Sequence, residues 1–329
     1  MLTFICCIEQ GRLERQTLLM LHTLRRFAGL WADADVLAMT PRRGLPLHRS
    51  TLQALDALKV QRCLAPAASK LPWFPYANKV AAVALAEQQA STSTLVWLDS
   101  DVLVAAPPSA LPLDATEDFA ARCEYLPPAV HAGQDRNVGY WQAVCRQLGT
   151  AYEDLPWLDD GQGRRVRMYF NSGVFSWRRG SGFAAAYEDA FYRLLHSRLA
   201  PSDGQFFTAD QVVLSPVVMR QRLRWRHLPM TNHHMTFQGS IDGAGASPSM
   251  DGSALVHYSK SMDEPYRERF MSRLSNELPA LADFVQRHDA ALQPRPVADT
   301  MARVLRMTRG LHWRLYERSI IPVHSSSVH

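Results

Sequence analysis

"LVWLDSDVLV", residues 95–104, sets two carboxylates, Asp99 and Asp101, directly after an apolar run. A strand covered on both faces reads as such a run. An acidic group inside it is costly unless it is paired or bound to a cation. The pair therefore belongs at the strand's exit, where it meets a metal or a solvent cleft. In open α/β sheets, ligands bind outside the carboxyl ends of strands. Two carboxylates at i and i+2 reach one cleft where the backbone turns. Such oxygen ligands suit Mg²⁺ or Mn²⁺, with substrate phosphates completing the shell.

Around this stretch, strands and helices alternate. Residues 2–8 read as a strand, and residues 12–29 carry helical apolar spacing at Leu18, Leu21, Leu24 and Phe27. Strands follow at 35–39 and 60–63, an Ala/Val-rich helix at 75–89, and the opening strand at 94–98. This alternation predicts an α/β fold, a mostly parallel sheet flanked by helices. Past the prolines at 107–108 the pattern loosens. A strand fits 119–123, and residues 127–168 are polar and aromatic. Order returns at "MYFNSGVFSW" (168–177), in a helix at 182–196, in a helix at 209–219 with Asp210 near its start, and in a late strand "ALVHYSK" (254–260). "QPRP" (293–296) reads as a linker between a domain at 1–292 and a basic, helical C-terminal segment at 293–329. No internal repeat is evident.

The totals narrow the function. A chain of 329 residues buries about three quarters of its unfolded surface. Net charge of +5 and a pI of 9.0 favour anionic ligands. Without a lysine-rich run or a binding motif, they give no case for nucleic acid. Cys6, Cys7, Cys63, Cys123 and Cys145 are odd in number and form no C-x-x-C, which argues for a reducing compartment over a disulfide framework. "MLTFICCIEQGR" lacks a basic n-region and reads as a first strand rather than a signal peptide. No stretch nears the roughly 18 apolar residues that span a bilayer. A cytoplasmic protein is expected.

Alone, the D-x-D is weak. Twenty aspartates in this length give about one such pair by chance. The second pair, Asp33 and Asp35, precedes a strand and reads as a solvated loop. Company strengthens the first pair. "LVWLDSDVLV" resembles the strand and D-x-D of GT-A-fold glycosyltransferases, in the family of bacterial galactosyltransferases and glycogenin. "YFNSGVFSW" is similar to that family's N-x-G-V segment, with Asn171 and Gly173. "DQVVLS" is similar to its Asp-Gln pair, Asp210 and Gln211. "VHYSK" is similar to its late histidine strand, with His257. All four fall in the family's order, across roughly residues 1–270.

The resemblance implies a GT-A-like fold and an enzyme of hexosyltransferase type. Such an enzyme moves a sugar from a nucleotide sugar, here a UDP-sugar, to a hydroxyl on a glycan, glycolipid or protein, with retention. It implies Asp99, Asp101 and His257 as ligands of Mn²⁺ or Mg²⁺, and Asp210, Gln211 and Asn171 as catalytic residues. Cys7, Glu9, Asn78, Lys79, Asp99, Ser100 and Lys260 would then hold the donor. Lys260 departs from the pattern, since it follows His257 by three residues with no glycine between.

Plainer readings stand beside these. His257 also reads as a core histidine, Asn171 as a turn residue and Asp210 as a helix N-cap. His233 and His234, neighbours on a strand, point to opposite faces and read as structural or as part of an acceptor cleft. Trp141, Trp157, Asp159 and Asp160 either line an acceptor site or pack a lid. In the tail, Met301, Val304, Leu305, Leu311 and Leu315 share a helical face opposite Arg303, Arg306, Arg314 and Arg318. That face either packs on the domain or adsorbs to anionic membrane at its inner surface. Two rival functions remain. "LDSDVLV" with "WLDDG" resembles the aspartyl-nucleophile phosphatases of the haloacid-dehalogenase type, although three strands precede it. A non-catalytic sugar-nucleotide-binding module is the other.

Overall fold

Strand β4 (Thr94–Leu98) is buried at every residue because both sheet faces are covered. Its side chains alternate, Leu95 and Trp97 entering one core and Val96 and Leu98 the other. The computed structural model describes residues 1–329 except 67, 134–135, 160–162, 202–207, 237–247, 292–295 and 324–329.

The chain begins with β1 (Leu2–Cys7), α1 (Arg12–Phe27), β2 (Asp35–Thr40), α2 (Arg49–Ala57), β3 (Gln61–Leu64) and α3 (Ala77–Gln89), then β4. After β4 come β5 (Val102–Val104), β6 (Phe119–Cys123), α4 (Val138–Leu148) and a hairpin of β7 (Trp157–Asp159) and β8 (Arg165–Arg167). Next are β9 (Phe170–Arg178), α5 (Phe183–Ser197), β10 (Leu199–Pro201), α6 (Ala209–Val212) and α7 (Leu214–Arg220). The chain ends with β11 (Trp225–His227), β12 (His234–Met235), β13 (Leu255–His257), α8 (Arg267–Glu277), α9 (Pro279–Ala291), α10 (Pro296–Glu317) and β14 (Ile321–Val323).

The main sheet runs β3-β2-β1-β4-β9-β6-β11. β1, β2, β3 and β4 are parallel, and β9 runs antiparallel to both β4 and β6. The order reverses at β1, whose neighbours are β2 on one side and β4 on the other. Such a reversal opens a crevice at the carboxyl ends of the two central strands. β1 and β4 deliver Cys7 and Asp99 there.

Several expectations are refined. The helix expected over 209–219 is two short ones, α6 and α7. The late strand is three residues long rather than seven. The described residues of the loose stretch 127–168 include α4 and the antiparallel β7–β8 pair. Trp141 is buried and its indole N–H donates to the Pro128 carbonyl (2.8 Å), which makes it a core residue. All five cysteines are free and buried. Asp33 is exposed in the turn before β2, while Asp35 is exposed as the first residue of that strand rather than in the loop.

Candidate active site

Register brings the motifs together. Leu98 at the end of β4 pairs with Val174 of β9, and the Asp99 amide donates to the Gly173 carbonyl (2.8 Å). This sets "NSG" beside "DSD". The chain then turns into β5, which pairs antiparallel with β13 so that Val102 faces His257. His257 thus arrives one residue beyond Asp101, across about 155 residues of sequence. Its Nε2 lies 3.3 Å from Asp101 Oδ1. One donor atom each from Asp99, Asp101 and His257 lie within 4.8 Å of one another. Two carboxylates and an imidazole so placed fit an octahedral divalent ion, Mn²⁺ better than Mg²⁺ because of the nitrogen ligand.

His257 is held from behind. Its Nδ1 lies 3.2 Å from Nε2 of His233, which is fully buried. Burial, aided by the nearby charges of His257 and Arg122, holds the His233 pKa well below the ordinary histidine value, so this ring stays neutral. Burial would also lower His257, but the charge and hydrogen bond of Asp101 outweigh it and raise the His257 pKa. The same contact outweighs burial at Asp101 and lowers its pKa. His233 therefore supports His257 structurally, while His234 is buried on β12. Among the described residues lining the cleft, neither His233 nor His234 appears.

A buried cation ties the two acidic motifs. Lys79 Nζ, in the first turn of α3, lies 3.0 Å from Asp99 Oδ2 and 2.9 Å from Asp210 Oδ2, and donates to the hydroxyl (2.9 Å) and carbonyl (3.0 Å) of Ser172. Burial opposes its charge, yet the two carboxylates raise its pKa above the ordinary lysine value. Asp99 is raised by burial, although Lys79 works against that. The Ser172 hydroxyl donates to Asp210 Oδ2 (2.7 Å), while Asp210 Oδ1 is buried without a hydrogen-bond partner among the described residues. Gln211 accepts from the Ser172 amide (3.1 Å) and donates to the Tyr169 hydroxyl (2.6 Å). Asn171 accepts from the Gly173 amide (2.8 Å) and donates to Glu124 (2.8 Å).

Beyond β1, Glu9 accepts two nitrogens of a two-pronged Arg42 contact (2.7 Å each) and Asn78 Nδ2, and forms an ion pair with Arg309 of α10 at 3.6 Å. Ser100 Oγ lies 2.9 Å from Thr17 Oγ1 and 3.3 Å from the Cys7 carbonyl. Burial pushes the Cys7 thiol well above its usual range, so it is an inert wall residue. Lys260 is exposed at the rim.

All twelve residues expected at the site line one cleft of about 640 Å³. Sequence reasoning missed Ser172, Glu124, Arg42 and the α10 residues Leu305, Arg306 and Arg309, which line it too. Ser172 stood in plain view inside the "NSG" segment; the others carried no local signal. Trp157 sits in the β7–β8 hairpin under Arg167 (4.5 Å from ring centroid to guanidinium), Asp159 is exposed beside it, and Asp160 lies outside the described residues. The basic segment that looked separate in sequence rests on the domain. Trp313 meets Phe74 edge-on (5.2 Å), the Tyr316 hydroxyl donates to the Leu195 carbonyl (2.6 Å), and β14 pairs with β10. The boundary expected at 292/293 falls on residues outside the described ones.

Solved structures to which the chain is similar include mouse xyloside xylosyltransferase 1, at 13% identity over 80% of this chain and 99% of that one, with a TM-score of 0.49. The galactosyltransferase LgtC shares 13% identity over 84% of this chain and 96% of that one, TM-score 0.48. Apo GlyE from Streptococcus pneumoniae TIGR4 shares 12% identity over 89% of this chain and 64% of that one, TM-score 0.50. The likeness to GlyE concerns the fold alone. No curated protein matches the chain. The model of the Rhodobacterales glycosyltransferase domain matches residues 4–222, two thirds of the sequence, and the chain belongs to that family of glycosyltransferases.

Proposed function

We propose that the enzyme is metal-dependent and transfers a sugar from a UDP-sugar to an acceptor hydroxyl with retention of configuration. The observation that carries this reading is the meeting of the Asp99–Asp101–His257 triad with the buried Lys79–Asp210–Ser172 network in one cleft. Family membership leaves no place for the phosphatase or the non-catalytic binding module as its function.

Asp99, Asp101 and His257 would hold Mn²⁺, with Mg²⁺ the poorer alternative. When bound, such an ion supplies charge neutralisation at the departing diphosphate. The chain's own residues do the rest. Lys79 pins Asp99 and Asp210 at a fixed separation. Asp210 Oδ1 is a buried acceptor with no partner among the described residues, and an unmet buried oxygen of this kind is costly unless a ligand satisfies it. We assign it to the transferred sugar. Asn171 and Gln211, whose amides are engaged at both ends, position Ser172 and the backbone rather than react. Glu124 is the other acid deep in the cleft. Its oxygens accept from the amides of Tyr125 (2.7 Å) and Leu126 (2.9 Å) and from Asn171, which leaves it poorly suited to act as an inverting base. Glu9, Asn78, Cys7 and Ser100 would line the nucleoside end, and Lys260 would reach the phosphates from the rim. We place the glycosyl-transfer domain at 1–292 and the C-terminal segment at 293–329. The setting would be the cytoplasmic side of a membrane, with a glycan, glycolipid or protein as acceptor.

The test is a thermal-shift series with UDP, GDP, CMP and dTDP, each with and without Mn²⁺, since a ligand that binds only the native state raises its stability. UDP with Mn²⁺ should give the largest shift. No shift with any nucleotide in either condition would remove the reading.

A further inference from the structure

Helix α10 has two sides, and among the described residues only the inner one is packed. Its inner side is spoken for. Leu305, Arg306 and Arg309 line the cleft, Arg309 donates to the Arg43 carbonyl (2.7 Å), and Trp313 and Tyr316 pack against Phe74. Its outer side exposes four large apolar residues: Val304 at 58%, Met307 at 69%, Leu311 at 59% and Leu315 at 57%. Spacings of three, four and four place them on one narrow stripe of the helix. The face read from sequence included Leu305, which the structure turns to the cleft. The arginines then flank the stripe instead of opposing it: exposed Arg303, Arg314 and Arg318 run along one edge.

An exposed apolar stripe needs a partner. A second helix wants apolar residues repeating every 3.5 positions. From Val304 and Met307 that repeat continues through Leu311 to positions 314 and 318, where arginines stand. The seam fails in its second half. A bilayer carrying anionic lipid fits both features: apolar side chains enter the acyl boundary and the arginines meet phosphates. Among the described residues no helix is long and apolar enough to cross a membrane, so the contact is one of lying on the surface.

We propose that α10 seats the enzyme on an anionic membrane through Val304, Met307, Leu311 and Leu315, with Arg303, Arg314 and Arg318 on the headgroup phosphates. The helix does not detach to do so, because its opposite side remains the wall of the cleft. Seating therefore holds the cleft beside the membrane surface. This rests on the glycosyl-transfer reading only for its purpose, which is to bring a lipid-borne acceptor within reach.

The experiment uses the full chain and two vesicle types, phosphatidylcholine alone and phosphatidylcholine with phosphatidylglycerol in equal parts. Wild type should sediment with the anionic vesicles and not with the neutral ones. Met307→Asp with Leu311→Asp should abolish sedimentation. Arg303→Gln, Arg314→Gln and Arg318→Gln together should weaken it about a hundredfold, at about fivefold for each arginine. All five positions are exposed, so the variants should melt as wild type does and keep the Mn²⁺–UDP shift. Equal sedimentation of wild type and the double Asp variant overturns the proposal. So does a wild-type dimer that the double Asp variant dissolves without any vesicle binding. Sedimentation as expected in a protein that shows no nucleotide shift would sink the transferase reading and leave the docking surface standing.

Discussion

The ring of His257 fills the space that a side chain at Gly173 would need. A Cβ built there would lie 2.3 Å from His257 Cε1 and 2.5 Å from its Nδ1, closer than real contacts allow. The glycine of "NSG" is thus a slot for the third member of the acidic triad. Gly173→Ala should push the ring away from Asp101. Mn²⁺ affinity, measured by titration of the nucleotide-free protein, should fall about ten- to a hundredfold. The fold should lose only about 1–3 kcal/mol from overpacking. An alanine variant that binds Mn²⁺ as wild type does would show that His257 is not a ligand.

The raised His257 pKa sets a pH signature. A metal takes the neutral imidazole, so Mn²⁺ affinity should decline about tenfold per pH unit below that pKa, and the decline should begin above 6.5. His257→Ala should bind weakly and with a flatter profile. In metal-free protein the sign reverses for stability. A folded pKa above the unfolded value stabilises the fold fully below 6.5, and that contribution is lost as pH rises through the folded pKa. The melting difference between wild type and His257→Ala, taken with chelator present, should shrink upward through this range. A difference that grows with pH would contradict the assignment.

Most of the site was legible because its motifs are local and sit at element ends. A buried strand that stops at two aspartates announces a cleft, and "NSG", "DQ" and "VH" each place a polar residue inside an otherwise apolar run. What the letters hide is partnership across the sheet. Nothing near "NK" says that Lys79 will bridge Asp99 and Asp210, because both contacts are long-range. Nothing near His233 says that its ring backs His257, 24 residues on. Glu124 reads as an ordinary charged residue after β6 until Asn171 is brought against it. The tail misled for the same reason. Its helical period was plain, but a period fixes which residues share a face and not which face meets the domain, so Leu305 was grouped with the outer stripe.

Lys79 bridges two acids, Asp99 and Asp210, both its own side chain and that of Asp210 being buried. Removing one partner of such a cluster leaves charge uncompensated. Lys79→Met should lower stability by about 3–5 kcal/mol, read from the denaturant midpoint. Adding Asp210→Asn should restore part of it, because the two losses share one interaction. Turnover should stay absent in the double variant. Strictly additive losses would mean that the pair is not coupled as its geometry requires.

Arg309 connects the far end of the chain to the first strand's exit. Glu9 already has Arg42 on both oxygens, so the fold does not depend on Arg309. Its guanidinium, on the cleft side of α10, instead fixes the outer oxygen of Glu9 and the Arg43 carbonyl together. Arg309→Ala should leave the melting temperature within the shift expected for a partly exposed pair, worth about 1 kcal/mol or less. Glu9 would then lose its tie to α10, and the wall that α10 supplies to the cleft would lose its link to the exit of β1. The expected result is a several-fold weaker affinity for UDP in the presence of Mn²⁺, with Mn²⁺ binding alone unchanged because Arg309 pairs with Glu9 and the Arg43 carbonyl and not with the triad. Arg309→Lys should recover little, since one ammonium does not span both oxygens as the planar fork does. Should Arg309→Ala bind UDP and Mn²⁺ as wild type does, α10 is a bystander to the donor cleft and its inner face serves packing alone.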